Sequence, residues 1–300
     1  MDKNFEVAFL GTGGPLPNAD RCGAGQVLIA GEQHVLVDCG WGSARRLIPT
    51  GIQPARIGTA IFTHMHSDHI TDVPDFLFLR WVTGASKPLQ VYGPEGTQEM
   101  IDGFLMAMRR DIGFRVAHHG DKLHPDGIKV AVTEVTAGAA PVAFLESDGL
   151  RIEAFEVDHF PVVPAFGFRA TYDGRTVVFS GDTSKCDSLL EASRGADMLV
   201  CEALNLTMLQ RTIDALKPNA PLQAGNLADV PSYHISTIEV AELARDAGVG
   251  EVVLTHILPS IKGEDALEAA FTVGMREVYA GSLRIARDTQ RMVVKRGSDR

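Results

Sequence analysis

The chain has 300 residues, and its 38 acidic against 28 basic residues leave a formal net charge of -10. With 45% hydrophobic and 22% charged residues it has the composition of an ordinary globular protein, which excludes wholesale disorder. No apolar run reaches the ~18 residues of a membrane-spanning helix, and the N-terminus shows neither the basic nor the apolar region of a signal peptide.

Four cysteines are scattered along the chain without a Cys-X-X-Cys pair, at Cys22, Cys39, Cys186 and Cys201. Most lie within or beside apolar segments, as reduced thiols in a protein core do. Structural disulfides belong to oxidising compartments. We therefore expect a cytoplasmic protein with free thiols.

Short apolar, β-branched segments recur along the whole chain and predict buried strands. In chain order they are residues 6–10, 35–37, 59–62, 151–157, 176–179, 198–200 and 252–254. Helical periodicity lies between some of them. It is clearest at 237–247, with Ser236 as N-cap and Gly248 at the C-terminal end, and a second helix is predicted over 263–280. Alternating strands and helices predict an α/β layered fold.

Four of the predicted strands run into a side chain that can bind a metal or move a proton: His64, Asp182, Glu202 and His256. In α/β sheets, binding sites lie beyond the carboxyl ends of the strands. One such ending is common by chance, whereas four together indicate a functional site.

The strongest local signal is the segment His64-Met65-His66-Ser67-Asp68-His69, directly after an apolar strand. Imidazole nitrogens and carboxylate oxygens are the usual ligands of Zn²⁺ and also bind other transition metals. A histidine-rich surface loop is the alternative, but the spacing favours a metal site. His118, His119 and His124 lie in a polar stretch that we expect to be a surface loop.

The His-X-His-X-Asp-His pattern resembles that of the metallo-β-lactamase superfamily. Three later motifs follow in the order of that superfamily, around His159, Asp182 and His256. The resemblance covers nearly the whole chain. It implies an α/β fold of the four-layer αββα metallo-β-lactamase sandwich type. It also implies a single domain over 1–300, with two βα halves of approximately 1–165 and 166–300.

The resemblance further implies two metal ions per chain, with zinc favoured and Mn²⁺ or Fe²⁺ as substitutes. A carboxylate shared by two cations reduces their mutual repulsion. The implied ligands are His64, His66 and His159 for the first ion, Asp68, His69 and His256 for the second, and Asp182 as the bridge. A hydroxide that bridges the ions would be the nucleophile.

Within the superfamily the sequence is similar to the ribonuclease Z and arylsulfatase branch, at residues 9–15 (FLGTGGP), 158–161 (DHFP) and 164–169 (PAFGFR). That branch carries a His-Glu-Ala-Thr segment, of which this chain keeps Glu202 but not the flanking His and Thr. The resemblance implies that Glu202 orients His234, which would protonate the leaving oxygen. Asp68 would orient the nucleophile as well as bind metal.

Two features favour a small substrate. Ribonucleases of this branch carry a basic arm, in many bacterial members between a Gly-Phe/Tyr-Arg motif and a Gly-Asp motif. Here only residues 170–180 separate Arg169 from Gly181. An acidic chain is also a poor partner for nucleic acid.

We therefore predict a binuclear zinc hydrolase of small-molecule phosphate or sulfate esters, a phosphodiesterase or an arylsulfatase, with neither nucleic acid nor membrane as the favoured partner. The alternative is a ribonuclease Z-type endonuclease that processes the 3′ end of transfer RNA. A lactonase or β-lactamase, and a carrier without hydrolase activity, rank below both. The resemblance also implies a homodimer.

Overall fold

The structure is a computed structural model that describes residues 4–297. These residues form two compact units. The first unit comprises residues 4–11, 22–136 and 288–293, and the second comprises residues 12–21, 137–287 and 294–297. The single domain with halves near 1–165 and 166–300 stays a prediction.

Strands and helices alternate through both units, as the sequence predicts. The strands are β1 (Phe5–Gly11), β2 (Gly25–Ala30), β3 (Gln33–Val37), β4 (Thr59–Ile61), β5 (Leu89–Gly93), β6 (Val130–Glu134), β7 (Val142–Ser147), β8 (Leu150–Glu156), β9 (Phe166–Tyr172), β10 (Arg175–Phe179), β11 (Met198–Leu204), β12 (Glu251–Leu258), β13 (Ser282–Ile285) and β14 (Arg291–Val293). The α-helices are α1 (Ser67–Ile70), α2 (Val73–Val82), α3 (Thr97–His119), α4 (Asp187–Ala192), α5 (Leu206–Leu216), α6 (Pro221–Asp229), α7 (Thr237–Ala247), α8 (Asp265–Phe271) and α9 (Met275–Val278). Short 3₁₀ turns lie at Ala44–Leu47, Pro54–Arg56, Gly120–Lys122 and Val230–Ser232.

The sheet of the first unit has the strand order β14-β1-β2-β3-β4-β5-β6. Its strands β3 to β6 run parallel, while β14, β1, β2 and β3 pair antiparallel. Val37 at the end of β3 pairs with Ile61 at the end of β4. The residues that follow these two strands therefore start side by side at one edge of the sheet.

The sheet of the second unit has the order β13-β12-β11-β10-β9-β8-β7. Strands β10 to β13 run parallel, and β7 to β10 form an antiparallel meander. The carboxyl ends of β10, β11 and β12 therefore share one edge. This edge carries the second set of candidate site residues.

Helix α7 shows how the local sequence specifies an element of the second unit. The helix spans the predicted residues, its N-cap Ser236 forms a capping box with Glu239, and Gly248 ends it at φ 66°. Its buried face, which includes Val240 and Leu243, joins the apolar core of this unit.

The predicted helix over 263–280 is interrupted in the structure. It forms α8 and α9 with Gly274 between them at φ 85°. Glycine takes such a left-handed backbone at no steric cost, and the continuous helical pattern of the sequence hides this break.

Two further expectations concern the surroundings of the protein. Among residues 4–297, the structure has no helix that combines the length and the apolar character needed to cross a bilayer. The four cysteines are free thiols, as expected. The cytoplasmic location stays a prediction.

The expected surface loop around His118 and His119 is wrong in its secondary structure. Both residues are exposed but belong to the last turn of α3, and only His124 lies in a loop.

Candidate metal centre

The segment after β4, which includes α1, brings together the four candidate metal ligands of the first unit. The Nε2 atom of His64 lies 3.0 Å from Nδ1 of His66, and the His64 and His69 rings are 4.2 Å apart between centroids. The Nε2 atom of His69 lies 3.8 Å from a carboxylate oxygen of Asp68. His66 is exposed, whereas the other three are buried. The predicted cluster is therefore a compact group of four candidate ligands.

Close backbone packing holds this loop in place. A Cβ atom at Gly40 would lie 1.8 Å from the carbonyl oxygen of Asp68, so only glycine fits there. The amide of Cys39 donates to the carbonyl oxygen of His69 at 2.6 Å. The segment after β3 thus fixes the backbone of the ligand loop after β4.

Asp38 belongs to this group, although the sequence patterns did not single it out. Its carboxylate accepts hydrogen bonds from the amide and hydroxyl of Thr63, both at 2.8 Å, and lies 2.8 Å from Nδ1 of His69. The signal that could have found it is the one used elsewhere, because the strand Val35-Leu36-Val37 also runs directly into a carboxylate. Asp38 is buried and has φ 56°.

Asp182 and His256 come together in the second unit, where Asp182 follows β10 and His256 lies in β12, the two parallel strands on either side of β11. His256 Nε2 lies 3.3 Å from a carboxylate oxygen of Asp182, and both residues are buried. The ligand atoms of Asp182, His234 and His256 all lie within 4.8 Å of one another. This group can hold a metal ion.

The sequence placed His256 at the end of its strand, and that placement is wrong. Strand β12 continues to Leu258, and His256 sits at a β-bulge, because Glu202 pairs with Thr255 and Ala203 with Ile257. Its φ is 43°. A bulge turns one side chain out of the regular alternation of the strand, which lets an interior strand residue face the site.

Glu202 and His234 form a buried pair, as the family resemblance implies. Nδ1 of His234 lies 2.6 Å from a Glu202 carboxylate oxygen. The His234 side chain is only 7% exposed and that of Glu202 only 1%. The other Glu202 oxygen accepts the amide of Thr183. The sequence placed Glu202 at a strand end, but it lies inside β11.

His159 lies in the loop between β8 and β9 and joins the same group of the second unit. Its Nδ1 atom is 2.9 Å from the carbonyl oxygen of Tyr233, and its ring centroid is 5.3 Å from that of His234. His159, Asp182, Glu202, His234 and His256 are therefore brought together within this unit.

The donor chemistry of both groups fits a divalent metal ion. In three histidines the Nδ1 atom lies within 3.0 Å of an oxygen atom. The oxygen belongs to Asp38 for His69, to Tyr233 for His159 and to Thr63 for His64. Metal-binding histidines commonly engage one ring nitrogen in this way and offer the other to the ion. In these three rings Nε2 remains as the ligand atom.

The cysteines beside the two buried carboxylates do not contribute thiolates. Burial raises the pKa of the Cys39 thiol well above its usual value, and it raises the pKa of Cys201 in the same direction. Both thiols therefore stay protonated at neutral pH, and the candidate ligands are nitrogen and oxygen atoms.

Comparisons with known proteins identify the family. A family model described as a beta-lactamase superfamily domain matches residues 33–257. The ribonuclease Z of Mycobacterium bovis is 38% identical over 293 residues, which cover 97% of this chain and 98% of that protein. That of Mycobacterium marinum is 41% identical over 260 residues, which cover 86% of this chain and 88% of that protein. This chain belongs to the metallo-β-lactamase superfamily, in the branch of the ribonuclease Z proteins.

Solved structures agree on the fold of this superfamily member. A metallo-beta-lactamase fold protein of Bacillus subtilis, YhfI, gives a TM-score of 0.70 at 21% identity, covering 97% of this chain and 100% of that one. Human tRNase Z, short form, gives 0.68 at 22% identity, covering 97% and 99%. The predicted α/β metallo-β-lactamase fold is confirmed, and the family supports a metal-dependent hydrolase.

The relatives overturn the predicted substrate. The prediction of a small-molecule phosphate or sulfate ester as substrate and partner, with a phosphodiesterase or arylsulfatase activity, is wrong. Relatives that match nearly the whole chain are named ribonuclease Z, and they favour the alternative that the sequence patterns placed second.

The two features that favoured a small substrate do not separate these activities. Strands β9 and β10 are joined by the two-residue turn Asp173-Gly174, with φ 52° and 71°, so this connection carries no arm. Yet the M. bovis ribonuclease Z is matched over 98% of its length by this chain, so an insertion large enough to form an arm is not what distinguishes the two. Net charge describes the whole chain, whereas substrate binding depends on the local field.

Proposed function

We propose that this protein is a ribonuclease Z-type endonuclease that hydrolyses a phosphodiester bond at the 3′ end of precursor transfer RNA. The observation that carries the proposal is 38% identity to a ribonuclease Z over 97% of the chain. The two groups of buried histidines and carboxylates support it, because they supply the donors that a metal-dependent hydrolase requires.

We propose two zinc ions per chain, with Mn²⁺ or Fe²⁺ as substitutes, and we assign the ligands from the family pattern. These are His64, His66 and His159 for one ion, Asp68, His69 and His256 for the other, and Asp182 for both. Bound divalent ions would supply Lewis acidity toward the phosphoryl oxygens and make water a stronger nucleophile at neutral pH. The homodimer implied by the resemblance stays a prediction.

His234 is the proposed proton donor to the leaving oxygen. Its Nδ1 atom faces Glu202 at 2.6 Å, so the carboxylate fixes the proton on Nδ1 in the neutral ring and stabilises the charged ring. Nε2 is then the atom that gives a proton to the departing alkoxide. Glu202 acts through His234 and is a positioning residue.

Asp38 and the Tyr233 carbonyl are proposed to orient the ligands. Each faces the Nδ1 atom of one histidine, His69 or His159, at 2.8 and 2.9 Å. This contact selects the tautomer with Nε2 unprotonated, which is the form that binds a cation. Asp68, on the first turn of α1, is proposed to orient the attacking water as well as to bind metal.

The acidic net charge is compatible with an RNA substrate. Phosphate binding needs positive charge only where the backbone lies, and bound divalent cations are the largest local charges in such a site. We therefore expect cleavage to be limited to the phosphodiester that reaches the metal centre.

The test is a cleavage assay on a precursor transfer RNA with a 3′ trailer, beside mature transfer RNA and 4-nitrophenyl sulfate. We expect one cut at the trailer junction, loss of the cut after dialysis against EDTA, and recovery on adding zinc. No cut in protein shown to contain metal would overturn the proposal, and so would faster turnover of the sulfate ester.

A variant pair links cleavage to the metal centre. Asp182→Ala should lose both its metal and its cleavage activity. Elemental mass spectrometry measures the metal content. Asp246→Ala removes an exposed carboxylate that pairs with Arg245 on the surface, and it should keep both. Normal metal content in Asp182→Ala would contradict the bridging role.

A further inference from the structure

The candidate site residues of the second unit are buried, whereas two aromatic residues beside them are not. Phe160 follows His159 in the chain and is 74% exposed, and Tyr233 precedes His234 and is partly exposed. The site residues themselves are each at most 7% exposed: His159, Asp182, Glu202, His234 and His256. The two aromatic residues are therefore accessible neighbours of two buried imidazoles.

The ring of Tyr233 is held against both of these imidazoles. Its centroid lies 4.8 Å from that of His234, with the planes tilted by 52°, and 5.6 Å from that of His159 in an edge contact. The Tyr233 carbonyl oxygen also faces Nδ1 of His159 at 2.9 Å. A ring that is already fixed loses little conformational freedom when a ligand packs on it.

The loop between β8 and β9 exposes apolar side chains next to its buried histidine. Besides Phe160, Val163 of the same loop is 73% exposed. A phenylalanine stabilises a fold mainly by burying its ring, and Phe160 does not do so here. Exposed apolar side chains that cluster beside a functional residue are a mark of a binding surface.

The chemistry of the neighbouring residues selects what these rings bind. His234 is the proposed proton donor to the leaving oxygen, so a group that packs on the adjacent Tyr233 ring belongs to a nucleotide at the bond that is cut. The flat part of a nucleotide is its base. Unpaired RNA bases stack on aromatic side chains, and they do so with little regard to sequence because every base has a π-face.

We propose that Tyr233 and Phe160 form a stacking surface for unpaired bases of the RNA substrate. Tyr233 stacks on the base of one of the two nucleotides that flank the phosphodiester, and Phe160 stacks on a further unpaired base. This inference rests on the proposed function, because the RNA supplies the bases. Such a surface selects an unpaired strand at the metal centre rather than a particular sequence.

The first test measures RNA binding apart from cleavage. The metal-loaded protein is titrated into a short fluorescent single-stranded RNA, which is checked to be intact afterwards, and binding is followed by anisotropy. Tyr233→Leu and Phe160→Leu should each weaken binding about 5- to 150-fold, the loss expected for one stacked base. Tyr233→Phe keeps the ring and should bind as the unmodified protein does.

The matched control for these variants is Phe114→Leu. Phe114 is also an exposed phenylalanine, at 62%, but it belongs to α3 of the first unit. Its replacement should leave the affinity for the short RNA unchanged. Unchanged affinity in Tyr233→Leu or in Phe160→Leu would overturn the proposal.

A second test separates stacking from mere support of the imidazoles. Precursor transfer RNA is prepared without the base on one or the other side of the cut. Tyr233→Leu should raise KM for the intact RNA and keep its metal. For one of the abasic RNAs the unmodified protein should show the same rise, and the variant should show no further one. Loss of metal in Tyr233→Leu, or the same loss of activity on intact and abasic RNA, would make Tyr233 a support for His159 and His234 and would overturn the proposal.

The stacking surface and the proposed cleavage can fail separately. If the protein cuts no precursor transfer RNA but binds the short RNA through Tyr233, the stacking surface stands and the proposed cleavage does not. If the protein cuts the precursor and Tyr233→Leu binds and cuts as before, the proposed cleavage stands and the stacking surface does not.

Discussion

Each unit of the protein holds one buried carboxylate against the Nδ1 atom of one buried histidine. In the first unit Asp38 lies 2.8 Å from His69, and in the second Glu202 lies 2.6 Å from His234. Both carboxylates also accept a backbone amide, from Thr63 and from Thr183. The two pairs are nearly the same in local chemistry.

Their surroundings assign them different proposed roles. His69 lies in α1 close to three other candidate ligands, so its Nε2 atom is expected to bind metal. His234 stands with His256 and Asp182, but the family pattern makes it a proton donor rather than a ligand. The same carboxylate–imidazole pair can therefore hold a metal ligand or an acid, and only measurements of metal content and turnover together distinguish the two.

The largest contrast is expected when the imidazoles are removed. His69→Ala should lose metal and with it all cleavage. His234→Ala should keep its metal and lose turnover, most strongly for substrates with poor leaving groups, which depend on a proton donor. Metal content and single-turnover rates measure both effects. Metal loss in His234→Ala would make this histidine a ligand.

A smaller contrast is expected when the carboxylates are neutralised. Asp38→Asn should weaken metal binding about 10- to 100-fold, because the amide no longer selects the tautomer of His69 that binds metal. Glu202→Gln should leave metal affinity unchanged and shift the pH–rate profile, because the charged form of His234 loses its stabilising partner. Competition with a chelator measures the first effect. Equal metal affinities in the two variants would remove the distinction between the pairs.

Removing one hydrogen bond should have a smaller effect still. The hydroxyl of Thr63 donates to Asp38 at 2.8 Å, so Thr63→Val should cost about 1–3 kcal/mol of stability and also lower metal affinity. Thr50→Val removes another buried hydrogen bond of the first unit, to the carbonyl oxygen of Leu47. It should cost similar stability with no change in metal affinity. Denaturant unfolding and chelator competition compare the two, and equal metal affinities would exclude Thr63 from the support of the site.

The smallest effect concerns the thiols beside the two pairs. Burial raises the pKa of both Cys39 and Cys201, so at pH 8 little of either is the reactive thiolate. Iodoacetamide should therefore label the partly exposed Cys186 first, as peptide mass spectrometry can show. Early labelling of Cys39 would indicate a thiolate in the first group, and then a sulfur ligand.

Local patterns of the sequence predicted most of what depends on near neighbours. The strands, helix α7 with its cap, and the four-ligand loop at residues 64–69 are encoded within short segments, because periodicity and capping act over a few residues. The strand-end pattern also singled out Asp182, Glu202 and His256, and the family resemblance added His159, His234 and the role of each residue. The break at Gly274 was not predicted, because an isolated glycine in a helical pattern does not by itself show where the chain turns.

Only the tertiary structure showed which atoms meet. Asp38 becomes part of the ligand group because β3 and β4 pair in register, and His256 faces its group because a bulge opposite Glu202 turns it. Strand pairing and bulges join residues far apart in the chain, so a local pattern can mark such a residue as a candidate but does not show which atoms it meets. The net charge did not predict the substrate, because the charge of a whole chain says little about the electric field where one phosphate binds. Near relatives corrected that interpretation, and the arrangement of the buried side chains supplied the chemistry to test it.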